Sequence, residues 1–111
     1  MVNCEKKGNI EIISFSITRL DAIVADEVRE RVSCFFNEPN SKVILNLKGI
    51  QYIDSTGFGS LLSLHRLACN NYGTLKICLV EPDVNKLFQT LRLNTIFEIY
   101  NDPDECIRSF S

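Results

Sequence analysis

The sequence predicts an α/β fold, a mostly parallel sheet of four to five strands with about four helices, formed as one domain over residues 1–111. Three observations carry this. Apolar, β-branched runs alternate with segments of helical period ten to sixteen residues long, which calls for right-handed crossovers and a parallel sheet. The run Lys42-Val43-Ile44-Leu45-Asn46-Leu47 shows little alternation, as an interior strand covered on at least one face does. No linker, repeat or low-complexity stretch divides the chain, and at 111 residues folding buries about 65% of the unfolded surface.

Taken in order, Glu11 to Ile17 reads as a strand, with a weaker strand before the turn at Gly8-Asn9. Asp21 is expected to cap a helix that carries Val24, Val28 and Val32 four apart and a Glu27/Arg31 pair. That helix should stop near Glu38-Pro39-Asn40, ahead of the Lys42 strand. Ser55 to Asn70 reads as the second helix, ended by Tyr72-Gly73, and Leu75 to Val80 as the next strand. Pro82-Asp83 opens a third helix whose Val84, Leu87, Phe88 and Leu91 form an amphipathic stripe. Ile96 to Tyr100 is the last strand. Asp102-Pro103-Asp104-Glu105 then starts a fourth helix, with N-cap, Pro at N1 and Glu at N3, that turns Ile107 and Phe110 inward.

Composition excludes several functions. A net charge of -2 provides no basic face, so no nucleic-acid partner is expected. No apolar run approaches the roughly 18 residues of a membrane span, and the polar N-terminus carries no export signal, so no membrane partner and a cytoplasmic location are expected. Five cysteines with no CxxC pair, and a single histidine, give no metal-ligand pattern. Most of these thiols are expected to be buried, as small apolar residues of a reducing compartment.

The chemistry concentrates in Gln51 to Leu62, QYIDSTGFGSLL, where a strand ends and a helix begins, the working edge of a parallel sheet. Asp54 can accept hydrogen bonds from the free N–H groups of the first turn, and Gly57 and Gly59 leave room for another backbone or a partner. Two glycines in one turn cost up to about 1 kcal/mol each, more than a cap requires. Ser55 presents a hydroxyl at the positive end of the helix dipole, where a phosphate is tolerated. Two readings stay open on these residues, a plain helix cap and a phosphoacceptor. A catalytic serine is disfavoured: no G-x-S-x-G elbow exists, and His65 lies about 15 Å of helical rise away, within an apolar arc that suggests a core or interface role. No P-loop is present. The expectation is no enzyme activity and no cofactor.

With Arg19-Leu20-Asp21-Ala22, Val43 to Leu47, Ile53-Asp54-Ser55-Thr56-Gly57-Phe58-Gly59 and LRLNTIFEIY in this order, the chain resembles the STAS family, specifically its stand-alone anti-sigma factor antagonists. The resemblance runs over nearly the whole chain, as a single STAS domain. It implies that Ser55 is phosphorylated by an anti-sigma factor serine kinase of histidine-kinase-like ATPase fold, that the unphosphorylated form binds this kinase and frees a sigma factor, and that a PP2C-type phosphatase resets the serine. Thr56 is the secondary acceptor. The docking surface is expected on Thr18, Arg19 and Asp21 together with Asp54, Ser55, Thr56, Gly57, Phe58 and Gly59. One departure is Thr18, where many members carry Gly. The alternatives are an accessory STAS subunit of a lipid-transport ATPase or a stressosome-like scaffold, neither needing a modified Ser55, and, more distantly, a small serine hydrolase.

Overall fold

A computed structural model describes all residues, Met1–Ser111. Strands β1 (Val2–Lys7) and β2 (Ile10–Phe15) form an antiparallel hairpin through Gly8, which takes φ 62° and so needs no side chain. The chain continues through β3 (Arg19–Leu20), α1 (Ala25–Ser33) with a 3₁₀ turn at Cys34–Phe36, β4 (Lys42–Asn46) and β5 (Tyr52–Ile53). Then follow α2 (Ser55–Asn70), β6 (Thr74–Cys78), α3 (Pro82–Thr90), a 3₁₀ turn at Leu93–Thr95, β7 (Glu98–Tyr100) and α4 (Pro103–Arg108). The main sheet has the order β1-β2-β4-β6-β7, with β2, β4, β6 and β7 parallel, and β3 pairs with β5 in a separate two-residue parallel ladder.

The alternation of side chains along the strands splits the interior in two. On one face Ile13, Phe15, Val43, Leu45, Leu75 and Ile77 join Val28 and Val32 of α1, Leu61 and Leu64 of α2, and Val84 and Phe88 of α3 in the main core. On the other, Ile10, Ile44 and Cys78 meet Cys106 of α4, with Ile107 and Phe110 packed at the margin. Val43, Ile44 and Leu45 are therefore all buried, which is why β4 reads as a continuous apolar run.

Several boundaries differ from expectation for identifiable reasons. The first helix starts at Ala25, after a turn in which the Asp21 carbonyl accepts the N–H groups of Val24 and Ala25. Val24 occupies the N-cap without a side-chain bond, so Asp21 caps this turn and not the helix. The strand expected to reach Val80 ends at Cys78 because Leu79 takes φ 55°. The last strand is shortened to Glu98–Tyr100 by the 3₁₀ turn ahead of it. On α3, Val84 and Phe88 are buried whereas Leu87 and Leu91 are 39% and 53% exposed, so only half of the expected stripe faces the core.

The cysteines also correct the expectation. Cys78 and Cys106 are buried, but Cys4, Cys34 and Cys69 are exposed. Cys4 lies on the outer edge strand β1, and Cys34 and Cys69 sit where their helices meet solvent.

Candidate functional site

Asp54 is the hinge point of the site. Its extended backbone (φ -93°, ψ -178°) breaks β5 into α2, and its Oδ1 accepts the Gly57 N–H at 2.8 Å as an N-cap. Its other oxygen, Oδ2, accepts the Ala22 N–H at 3.1 Å, thirty-two residues earlier in the chain. One carboxylate thus holds two loops together. Around it the β3–β5 ladder aligns Arg19 with Tyr52 and Leu20 with Ile53, extended by Gln51 N–H donating to Thr18 O at 2.7 Å and Asp54 N–H to Leu20 O at 3.2 Å. The Thr18 to Asp21 loop and the start of α2 therefore share one edge, as their positions after neighbouring parallel strands suggest.

Ser55 and Thr56 are exposed on the first turn of α2, among N–H groups that lack intrahelical acceptors. The dipole of a sixteen-residue helix points its positive end at them. Asp21, half-buried, accepts the Ile23 N–H at 3.1 Å through Oδ1 and pairs with Arg19 Nε at 3.5 Å through Oδ2. The Arg19 guanidinium lies 4.2 Å from the centre of the Tyr52 ring. Thr18 is exposed and its φ is negative, so its departure from glycine imposes no backbone strain on the loop.

Two of the expected contact residues prove to be internal. A Cβ on Gly57 would run into the Leu20 carbonyl oxygen, with Ile53 Cγ2 2.8 Å away. This glycine admits the chain's own β3 and not a partner. Phe58 is 5% exposed and packs edge-on against Phe88 at 5.3 Å. Both support the surface from beneath. Gly59 is exposed, and a Cβ there would meet nothing within 4 Å, so the argument that glycine leaves room for a partner applies to this position alone.

His65 packs edge-on against Phe97, 5.3 Å between ring centres, with Cys69 Sγ 3.7 Å from its Nε2. It points to the α3 and β7 side of the core, away from Ser55. No three His, Cys, Asp or Glu side chains cluster as metal ligands, and no helix is long and apolar enough to cross a membrane.

Three participants were missed in the sequence. Ala22 contributes only its backbone N–H, which no residue type signals. Tyr52 was given no role, and its place in the site follows from its pairing with Arg19 across the β3–β5 ladder. Ser60 is 5% exposed and its hydroxyl reaches the Ala25 carbonyl at 3.2 Å, tying α2 to the start of α1. A serine at an apolar-arc position was the available signal.

Comparison with known proteins bears on this arrangement. The family model described as STAS domain matches residues 1–106. An anti-sigma F factor antagonist of Paenibacillus polymyxa is 31% identical over 77 residues, which make up 69% of this chain and 61% of that protein, so the match spans less than two thirds of the relative's length. In fold, the chain is similar to an anti-sigma-factor antagonist (STAS) domain protein from Planctomyces limnophilus, with a TM-score of 0.88 at 16% identity over 97% of this chain and 96% of the other. It is also similar to the phosphorylated form of the Bacillus cell fate determinant SpoIIAA, with a TM-score of 0.73 at 19% identity and full coverage of both chains.

Proposed function

The chain belongs to the STAS domain family, and on that premise we propose that it is an anti-sigma factor antagonist switched by phosphorylation of Ser55. The observation that carries this reading is the position of Ser55: an exposed hydroxyl on the first turn of α2, next to a carboxylate that ties the two loops of one surface together. The name of the Paenibacillus polymyxa relative supports the partner class, an anti-sigma factor.

In this reading the unphosphorylated surface docks on an anti-sigma factor that is itself a serine kinase of histidine-kinase-like ATPase fold, and a sigma factor is released. Transfer of the γ-phosphoryl group of ATP to Ser55 Oγ, with loss of the hydroxyl proton and departure of ADP, leaves a group of about -1.5 to -2 charge on the contact surface. Burying that group against a partner shaped for a neutral hydroxyl costs desolvation, adds bulk and repels partner acids, so the complex separates. The helix dipole stabilises the same charge within the free protein, so the fold is kept. A PP2C-type phosphatase resets the serine. In this reading the chain acts as a substrate and binding module.

The experiment is incubation of the purified chain with each candidate kinase and ATP, with the phosphosite mapped by mass spectrometry. Label on Ser55 that disappears in Ser55→Ala supports the reading. Undiminished label on Ser55→Ala moves the site, with Thr56 the first position to inspect. Binding to an anti-sigma factor with no label on either residue would favour the scaffold alternative.

A further inference from the structure

Ile23 is 89% exposed, the most exposed large apolar side chain of the chain, and the core does not use it. Its loop is nonetheless fixed. Ala22 N–H donates to Asp54 Oδ2 at 3.1 Å, Ile23 N–H to Asp21 Oδ1 at 3.1 Å, and Val24 N–H and Ala25 N–H to the Asp21 carbonyl at 3.1 and 2.9 Å. Four successive amides are satisfied, so the apolar side chain is held out by a pinned backbone. Ile23 borders a shallow groove of about 390 Å³ that the half-buried Ile17 and Val24 line together with Thr18, Arg19 and Asp21.

An apolar projection on a rigid loop, bordering a groove lined by apolar and charged side chains, has the composition of an interface anchor. Because the loop is pinned before binding, little conformational entropy is lost on contact. Its position identifies the occupant. Ala22 is hydrogen-bonded to the residue preceding Ser55, and a standard interface covers about 800 Å² per partner, a disc of about 16 Å radius. A protein docked with its catalytic groups on Ser55 and a footprint of this size centred there would extend over Ile23. By contrast Tyr72, 82% exposed, follows the far end of α2, about 24 Å of helix away, outside such a footprint.

We infer that Ile23 is the apolar anchor by which this chain docks on its anti-sigma factor, inserting into an apolar pocket of that protein. The inference rests on the functional reading above. It adds a residue to the surface and makes the contact two-part: Ile23 supplies affinity, and Ser55, beside it, supplies the switch. Phosphorylation then removes binding without moving the anchor.

The test is titration of the purified anti-sigma factor kinase with the wild-type chain and with Ile23→Ala, Ile23→Asp and Ile23→Leu, alongside phosphorylation kinetics at Ser55. Ile23→Ala should weaken binding about 30-fold, the scale of an interface hot spot. Ile23→Asp should abolish it, and Ile23→Leu should restore most of it. The KM for the chain as kinase substrate should rise with kcat little changed, and unfolding temperatures should match wild type because the side chain touches no core. Wild-type binding that Ile23→Ala and Ile23→Asp leave unchanged overturns the anchor while the functional reading stands. A wild-type dimer that Ile23→Asp dissociates, with kinase affinity unaltered, overturns it in favour of a second copy as occupant. Failure of the wild-type chain itself to bind removes the functional reading and the anchor together.

Discussion

Asp54 accepts two amides with two oxygens, one from its own helix and one from the loop before α1. Asparagine offers one carbonyl oxygen, so Asp54→Asn is expected to keep one bond and face the other N–H with its own amide group. If the helix cap is kept, the Ala22 amide becomes free, and its hydrogen exchange should speed up about tenfold while α2 remains protected. Unchanged protection at Ala22 would mean that the loop holds itself. Gly57 gives a stability prediction. An added Cβ meets the Leu20 carbonyl and Ile53 inside a packed contact, so Gly57→Ala should destabilise by about 1–3 kcal/mol, the usual cost of overpacking. Gly59→Ala meets nothing and should not destabilise; alanine is the better helix former. Denaturant titration distinguishes the two, and equal effects would contradict the different roles assigned to these glycines. Asp21→Asn tests charge: its bond to the Ile23 amide can persist through the carbonyl oxygen, so lowered affinity for the anti-sigma factor would reflect the lost charge and its pairing with Arg19.

At the level of elements, α4 is a short cap over the second face of the sheet, and its buried contents include two thiols. Burial pushes Cys78 up to about 11, and burial together with the neighbouring Cys78 pushes Cys106 up to about 12, from an ordinary value of 9.0. The folded state therefore prefers the neutral thiols. This contribution to stability is fully present below pH 9 and is lost as pH rises toward 11 to 12, because the unfolded chain ionises first. The unfolding temperature should fall across that window, with a shallower slope in Cys106→Ala even though that variant starts lower. Equal slopes would show that Cys106 is not among the groups responsible. Much of this level could be read in the sequence. The α2 boundaries and the Asp54 cap follow from the abrupt change from strand to small polar residues, and α4 from its cap and Pro103. The β3–β5 ladder could not be read, since two residues carry no period. The start of α1 was misplaced because Asp21 before an apolar spacing looks like an N-cap whether it caps a helix or the turn ahead of it. The buried Gly57 was read as a contact residue because a gap for a partner and a gap for the chain's own backbone call for the same small residue, and Phe58 because it lies between Gly57 and Gly59 in the same segment.

In the whole molecule, the fold and the proposed switch are separate. The core lies against the sheet, Ser55 lies outside it, and the charge it would receive meets a helix N-terminus. The phosphorylated chain should accordingly unfold no lower than the unmodified one and at most about 5 °C above it, as read by calorimetry at matched pH and salt, since a favourable charge near a helix N-terminus contributes a few tenths to about 1 kcal/mol. A drop of several degrees would mean that phosphorylation acts by loosening the domain. A Ser55 phosphate should also persist in the purified protein until a phosphatase is added, and loss within minutes would reveal a hydrolytic activity.

The central claim is that one phosphate on Ser55 decides whether the docking surface is used. Calorimetric titration of the anti-sigma factor kinase with the unmodified chain and with the Ser55-phosphorylated chain measures this directly. The first should bind tightly and the second at least about a hundredfold more weakly, the result of burying a dianion where a hydroxyl fits. Equal affinity of the two forms would contradict it.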